Sequence, residues 1–185
     1  MSKVIVTRND YPKAASMYEA ATAQGLECLT APDAEADLAE AVRQHGARHV
    51  IVGVARYAGP LYAALPRGGV IGRFGVGHDG IDKAQATAAG LLCTNTPGVL
   101  DDSVAEHTLA LLLAAARRLT ANAASAREGT WKPHIGTELR GKTLAVIGCG
   151  PISCRVAQIA AFGFVLRVVG CEIRSVEHAE METRF

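Results

Sequence analysis

Gly148, Gly150 and Glu172 are the residues whose types and spacing are best suited to chemistry. Glycines on either side of one residue clear the backbone of Cβ atoms, so that its N–H groups can approach an anion closely. They lie in residues 142–172, KTLAVIGCGPISCRVAQIAAFGFVLRVVGCE. There an apolar, β-rich run over 143–147 enters the turn Gly148-Cys149-Gly150, and helical spacing begins at Pro151. Strand, glycine turn and helix in that order direct the turn's N–H groups and the positive end of the helix dipole toward one negative group. A second apolar run, 165–171, ends on Glu172, about twenty residues beyond the turn, where a carboxylate can accept hydrogen bonds from a ribose. The chemistry implied is dinucleotide binding, with pyrophosphate on the glycines and an unphosphorylated adenosine ribose on Glu172. Ser153 stands where such motifs carry a third glycine. Pro151 removes one N–H from the first helical turn, although its fixed φ suits that position. On the glycines alone, an ordinary βαβ crossover with a glycine-rich turn remains an equal reading.

The elements that would position such a site alternate along the chain. Strands are predicted over 3–7, 27–30, 49–54, 70–76 and 91–95, with helices over 12–24, 33–45, 59–65 and 82–89 between them. Alternation of this kind implies a parallel sheet covered on both faces. Asn95-Thr96-Pro97-Gly98 has turn composition and marks the best domain boundary. Beyond it, Asp101, Asp102 and Ser103 offer caps to one long Ala- and Leu-rich helix over 104–127. Its apolar residues fall on nearly every side over 109–116, which implies burial all round, between domains or in a subunit interface. Gly129-Thr130-Trp131 ends it.

Composition narrows the partners. The 185 residues are 49% hydrophobic and 20% charged, with a formal net charge of +1. A chain of this length can bury an ordinary core, and its charge balance gives no electrostatic case for nucleic acid or an anionic membrane. A small molecule is the expected partner. Cys28, Cys93, Cys149, Cys154 and Cys171 are scattered, mostly within apolar runs, with neither CxxC pairing nor zinc spacing; they read as buried thiols, with no metal site expected. No apolar run has secretory or membrane-spanning character, so a soluble, cytoplasmic protein is expected.

Several stretches in order then carry a resemblance: Gly75-Val76-Gly77-His78-Asp79-Gly80-Ile81-Asp82; Asn95-Thr96-Pro97-Gly98; Ser103-Val104-Ala105-Glu106-His107-Thr108-Leu109-Ala110-Leu111; Trp131; and Glu138-Leu139-Arg140-Gly141-Lys142-Thr143-Leu144. Together they resemble the D-isomer-specific 2-hydroxyacid dehydrogenases. That resemblance implies an α/β protein with a flavodoxin-like parallel-sheet substrate domain over 1–98 and an incomplete Rossmann NAD-binding domain over 99–185. It implies that the N–H groups of Val76 and Gly77 hold the carboxylate of a 2-hydroxy or 2-keto acid. Val76 and Thr108 would lie beside the nicotinamide half of NAD, and Gly148, Gly150, Ile152 and Glu172 would hold its pyrophosphate and ribose. It further implies a homodimer through the helix around 104–118.

The arginine, carboxylate and histidine that such enzymes use in catalysis lie well beyond the glycine motif, and none has a position here; no catalytic residue is assigned. With only two strands in the cofactor domain and a polar tail over 173–185, a truncated product with little or no activity alone is expected. A non-catalytic dimerising or nucleotide-binding module is the alternative, and a flavodoxin-like FMN-binding or signalling domain would account only for residues before about Asn95. Among the histidines, His78 is nearest the proposed carboxylate cradle, and His45, His49, His107, His134 and His178 read as surface or packing residues. Arg56 and Arg73 could add to anion binding. Arg174 lies close enough to Glu172 in sequence to meet a 2′-phosphate, which leaves NADP open.

Overall fold

The computed structural model describes residues 2–173. The tail beyond Ile173, with Arg174 and His178, lies outside the described residues. The chain divides into two compact units, Met1–Val99 and Leu100–Phe185.

The first unit is a five-stranded, wholly parallel sheet. Its strands are β1 (Ser2–Thr7), β2 (Leu26–Ala31), β3 (His49–Val52), β4 (Val70–Arg73) and β5 (Leu92–Thr94), in the order β2-β1-β3-β4-β5. That is the flavodoxin-like doubly wound order, in which ligands meet the carboxyl ends of the strands. The connecting helices are α1 (Ala15–Ala23), preceded by a 3-10 turn at Tyr11–Ala14, then α2 (Glu35–His45), α3 (Pro60–Ala64) and α4 (Lys83–Ala88). Alternate strand residues face opposite ways. Ile5, Val50, Val52 and Ile71 enter one core with Leu38, Val42, Tyr57, Leu61 and Tyr62, while Val4 and Val6 enter another with Tyr18.

At the switch point, where the order reverses between β1 and β3, a buried carboxylate after β1 packs against Gly53 after β3. Asp10 is 2% exposed; it accepts from the Thr7 hydroxyl and from Lys13 Nζ at 2.6 Å. A Cβ on Gly53 would sit 2.2 Å from its Oδ2, so any larger residue there would have to displace the carboxylate. Burial pushes the Asp10 carboxyl up, but bonds from Lys13 and Thr7 and the charges of Lys13 and Arg73 outweigh it and hold the group below its ordinary 3.8. A carboxyl with a depressed folded pKa contributes stability above its unfolded pKa and loses it as pH falls through the folded one. Wild-type stability is therefore expected to decline as pH drops below about 4, and Asp10→Asn to show a shallower decline over that window. Urea unfolding followed by circular dichroism across that pH range checks it.

The second unit contains α5 (Asp101–Ala116), α6 (Leu119–Arg127), β6 (Thr143–Ile147), α7 (Pro151–Phe164) and β7 (Arg167–Cys171). Strands β6 and β7 pair in parallel, from Thr143 opposite Arg167 to Ile147 opposite Cys171. Ala105 and Leu109 of α5 pack with Val156 and Ala160 of α7 and with Leu166.

The single long helix expected over 104–127 is two helices. Arg118 adopts φ 52°, ψ 37° and starts α6. The carbonyl of Ala116 accepts from Thr137 N at 2.7 Å, and Gly136 passes so close that a Cβ there would lie 2.6 Å from that oxygen. The following segment thus takes over a carbonyl that a continuous helix would need. All-round burial is likewise not found within the unit: Ala105 and Leu109 are buried, whereas Leu111 is 58% exposed. The thiols also divide: Cys149 and Cys154 are buried, Cys28 is half-buried, and Cys93 and Cys171 are exposed. No helix among the described residues is long and apolar enough to cross a membrane, and no group of His, Cys, Asp and Glu there could hold a metal ion.

Candidate functional site

Two sets of backbone donors lie at strand ends, one in each unit. In the first unit, β4 runs into Phe74-Gly75-Val76-Gly77, and Gly75 takes φ +135°, a conformation reserved for glycine. The turn is held by its acceptors: Asn95 Nδ2 donates to the Val76 carbonyl at 2.8 Å, and Thr96 N donates to the Gly75 carbonyl at 3.1 Å. Among the described residues nothing accepts from the N–H of Val76 or Gly77. Gly77 is exposed, with open space where its Cβ would stand. Two adjacent unpaired N–H groups in an exposed turn can grip a carboxylate. Asn95 is a residue that reading the sequence missed, since Asn-Thr-Pro-Gly signals a turn and says nothing of which carbonyl its side chain reaches.

The cationic side chains considered for the same anion behave differently. Arg73 folds back to donate to the Phe74 carbonyl, its guanidinium lying against Gly75. Arg56 and His78 are exposed. His49 is set apart by a buried Nδ1 with no partner among the described residues, and burial lowers its pKa, followed by the charge of Arg48.

In the second unit, Gly148 takes φ +84° and Gly150 a φ of −74° with ψ 176°. The first value requires glycine; the second does not, so the reason for Gly150 lies in space rather than in backbone. A Cβ on either glycine would meet nothing within 4 Å, which leaves room for a ligand against the backbone. Gly148 N donates to the Cys171 carbonyl at 2.7 Å and locks the turn onto β7. Pro151 opens α7, with half-buried Ile152 in its first turn. Glu172 arrives at the same place from the end of β7: its Oε2 accepts from Cys149 N at 3.0 Å and its Oε1 from Ile173 N at 2.8 Å. The carboxylate expected on a ribose is therefore docked at the glycine turn by backbone donors. Thr108 is exposed on α5, its hydroxyl donating to the Val104 carbonyl at 2.7 Å. Gly148, Gly150, Ile152 and Glu172 are thus brought together, and Val76 and Gly77 form a separate group in the other unit.

The family model for the D-isomer specific 2-hydroxyacid dehydrogenase catalytic domain matches residues 4–183. A Mycobacterium tuberculosis D-3-phosphoglycerate dehydrogenase is 52% identical over 106 residues, covering 56% of this chain and 20% of that protein. An Aeropyrum pernix glyoxylate reductase is 40% identical over 139 residues, covering 63% of this chain and 42% of that protein. The chain thus spans less than half the length of these relatives. Among solved structures, Aquifex aeolicus D-lactate dehydrogenase complexed with NAD and lactic acid aligns with a TM-score of 0.79 at 26% identity, over 98% of this chain and 54% of that one. A protein from Thermus thermophilus aligns with a TM-score of 0.75 at 33% identity, over 94% and 57% of the two chains.

Proposed function

Because the chain belongs to the D-isomer specific 2-hydroxyacid dehydrogenase family, we propose that residues 99–185 bind NAD and residues 1–98 bind the 2-hydroxy or 2-keto acid of an NAD-linked oxidoreductase. The observation that carries this reading is the docking of Glu172 on the N–H of Cys149, beside glycines with open space before them. In that position the carboxylate can accept from both ribose hydroxyls while the N–H of Gly150 and the start of α7 can turn to the pyrophosphate. Ile152 would cover the cofactor from the first turn of α7, and Val76 and Thr108 are assigned to its nicotinamide half. Bound NAD supplies the redox chemistry, carrying hydride to or from C2 of the acid. The chain's own contribution to that step is to hold the acid's carboxylate on the N–H groups of Val76 and Gly77 and so fix the orientation of C2. The same carboxylate at Glu172 repels a 2′-phosphate, which favours NAD over NADP.

The rival reading, an FMN-binding flavodoxin-like domain, meets a physical obstacle. Its phosphate would belong at the β1/β3 switch point, and there Asp10 presents a buried carboxylate held in its charged form. The anion cradle lies instead one strand further, after β4. We further infer a homodimer through α5, whose exposed stripe of Val104, Thr108, Leu111 and Ala115 recurs at helical spacing. A cytoplasmic setting suits the five cysteine thiols.

Calorimetric titration with NADH and NADPH tests the cofactor assignment. NADH is expected to bind saturably and at least about tenfold more tightly than NADPH, a difference of about 1.4 kcal/mol. Glu172→Gln is expected to weaken NADH and to narrow that gap. Equal affinity of the wild type for the two cofactors, or no binding of either, would overturn it.

A further inference from the structure

The Gly75–Asp82 turn is held at its near end by Asn95 and Thr96, and at its far end by a phenol from a different element. Tyr62, on α3, is 4% exposed among apolar core residues. Its hydroxyl donates to the Tyr57 carbonyl at 2.8 Å and accepts from Asp82 N at 2.7 Å. One buried oxygen therefore joins the loop after β3 to the end of the turn after β4. Tyr57 N completes the join by donating to the Gly80 carbonyl at 2.7 Å. The two loops are pressed together so closely that a Cβ on Gly80 would lie 2.3 Å from the Ala55 carbonyl oxygen. Asp82 in turn caps α4 through Gln85 N at 3.0 Å. Burial raises the Tyr62 pKa, so the phenol keeps its proton at neutral pH and can act as donor and acceptor at once.

We propose that Tyr62 is a positioning residue: its hydroxyl sets the direction of the Val76 and Gly77 N–H groups by fixing the far end of their turn, and so sets the affinity for a 2-keto acid carboxylate. This deepens the anion-cradle reading above and rests on it. A short turn clamped at both ends cannot rotate its middle peptides freely. Removing the hydroxyl leaves the far end held by the Tyr57 N to Gly80 carbonyl bond without the tie at Asp82, and the looser end lets the two N–H vectors diverge. Removing the hydroxyl also leaves two backbone groups, Tyr57 C=O and Asp82 N–H, without their partner inside the protein.

The test is a titration of the isotope-labelled chain with oxamate, an unreactive 2-keto acid analogue, followed at the Val76 and Gly77 amides by nuclear magnetic resonance. Wild type is expected to shift both amides saturably, and Tyr62→Phe to bind at least about tenfold more weakly, with faster hydrogen exchange at Asp82. Leu65→Ala serves as the comparison, since it opens the same core but keeps both hydroxyl bonds; its oxamate affinity should stay within about twofold of wild type. Tyr62→Phe binding as tightly as wild type, or no more weakly than Leu65→Ala, overturns the positioning role while leaving the cradle standing. Wild-type amides that ignore oxamate overturn the cradle and, with it, the role of Tyr62.

Discussion

Gly150→Asp should reduce NADH affinity by about 100-fold or more without unfolding the protein. The position isolates ligand space from backbone need: φ −74° and ψ 176° are open to any residue, and a Cβ there would touch nothing within 4 Å. Aspartate should therefore fold as glycine does, with a stability change of about 0.5 kcal/mol or less. Its carboxylate would then occupy the volume assigned to the pyrophosphate. A unit charge about 4 Å from another costs about 1 kcal/mol in water and about 4 kcal/mol near a protein surface, before any steric term. Gly150→Ala, adding a methyl without charge, should lie between, at about tenfold, since the backbone could then no longer approach the phosphates as closely. Calorimetry with thermal melts of each variant checks the pair. An aspartate variant that binds NADH normally would place the pyrophosphate elsewhere.

The second large effect concerns assembly. Leu111→Asp should convert the proposed dimer into a monomer, read as a halving of mass by light scattering. Leu111 is 58% exposed in the isolated chain and contributes little to its core, so the substituted monomer should remain folded. In a two-fold interface each substitution counts twice. Losing about 2 kcal/mol of leucine burial per subunit removes about 4 kcal/mol in all, close to a thousandfold in dissociation constant, and two buried carboxylates would add to that. A wild type of monomer mass would overturn the dimer, and a variant that keeps a dimer mass would move the interface off this helix. Ala105→Asp would not be informative, because Ala105 packs in the unit's own core.

The fold and its site were not equally legible. Parallel strands announce themselves as short apolar runs between helices and glycines, which is why all seven among the described residues were located to within a few residues. The break at Arg118 was invisible, because both sides of it are rich in good helix formers. What ends α5 is a backbone segment about twenty residues further on, whose Thr137 N–H takes the Ala116 carbonyl. Burial on α5 was overestimated for a related reason: helical periodicity reports how apolar a face is, and not whether a neighbour covers it.

By itself, the sequence determined the family-bearing turns, the order of elements, and the glycine that a positive φ demands at Gly148, since these depend on residue type and local spacing. Only the tertiary structure decided what the strand ends present. It filled the switch point with Asp10, folded Arg73 back on its own backbone, set Glu172 on the N–H of Cys149, and tied two loops through the Tyr62 hydroxyl. The Glu172 and Tyr62 contacts join residues from different elements, whereas Asp10 is held by Thr7 and Lys13 three residues to either side and Arg73 bonds its neighbour. The direction of a buried hydrogen bond is set by packing around it, which no local pattern of residues encodes.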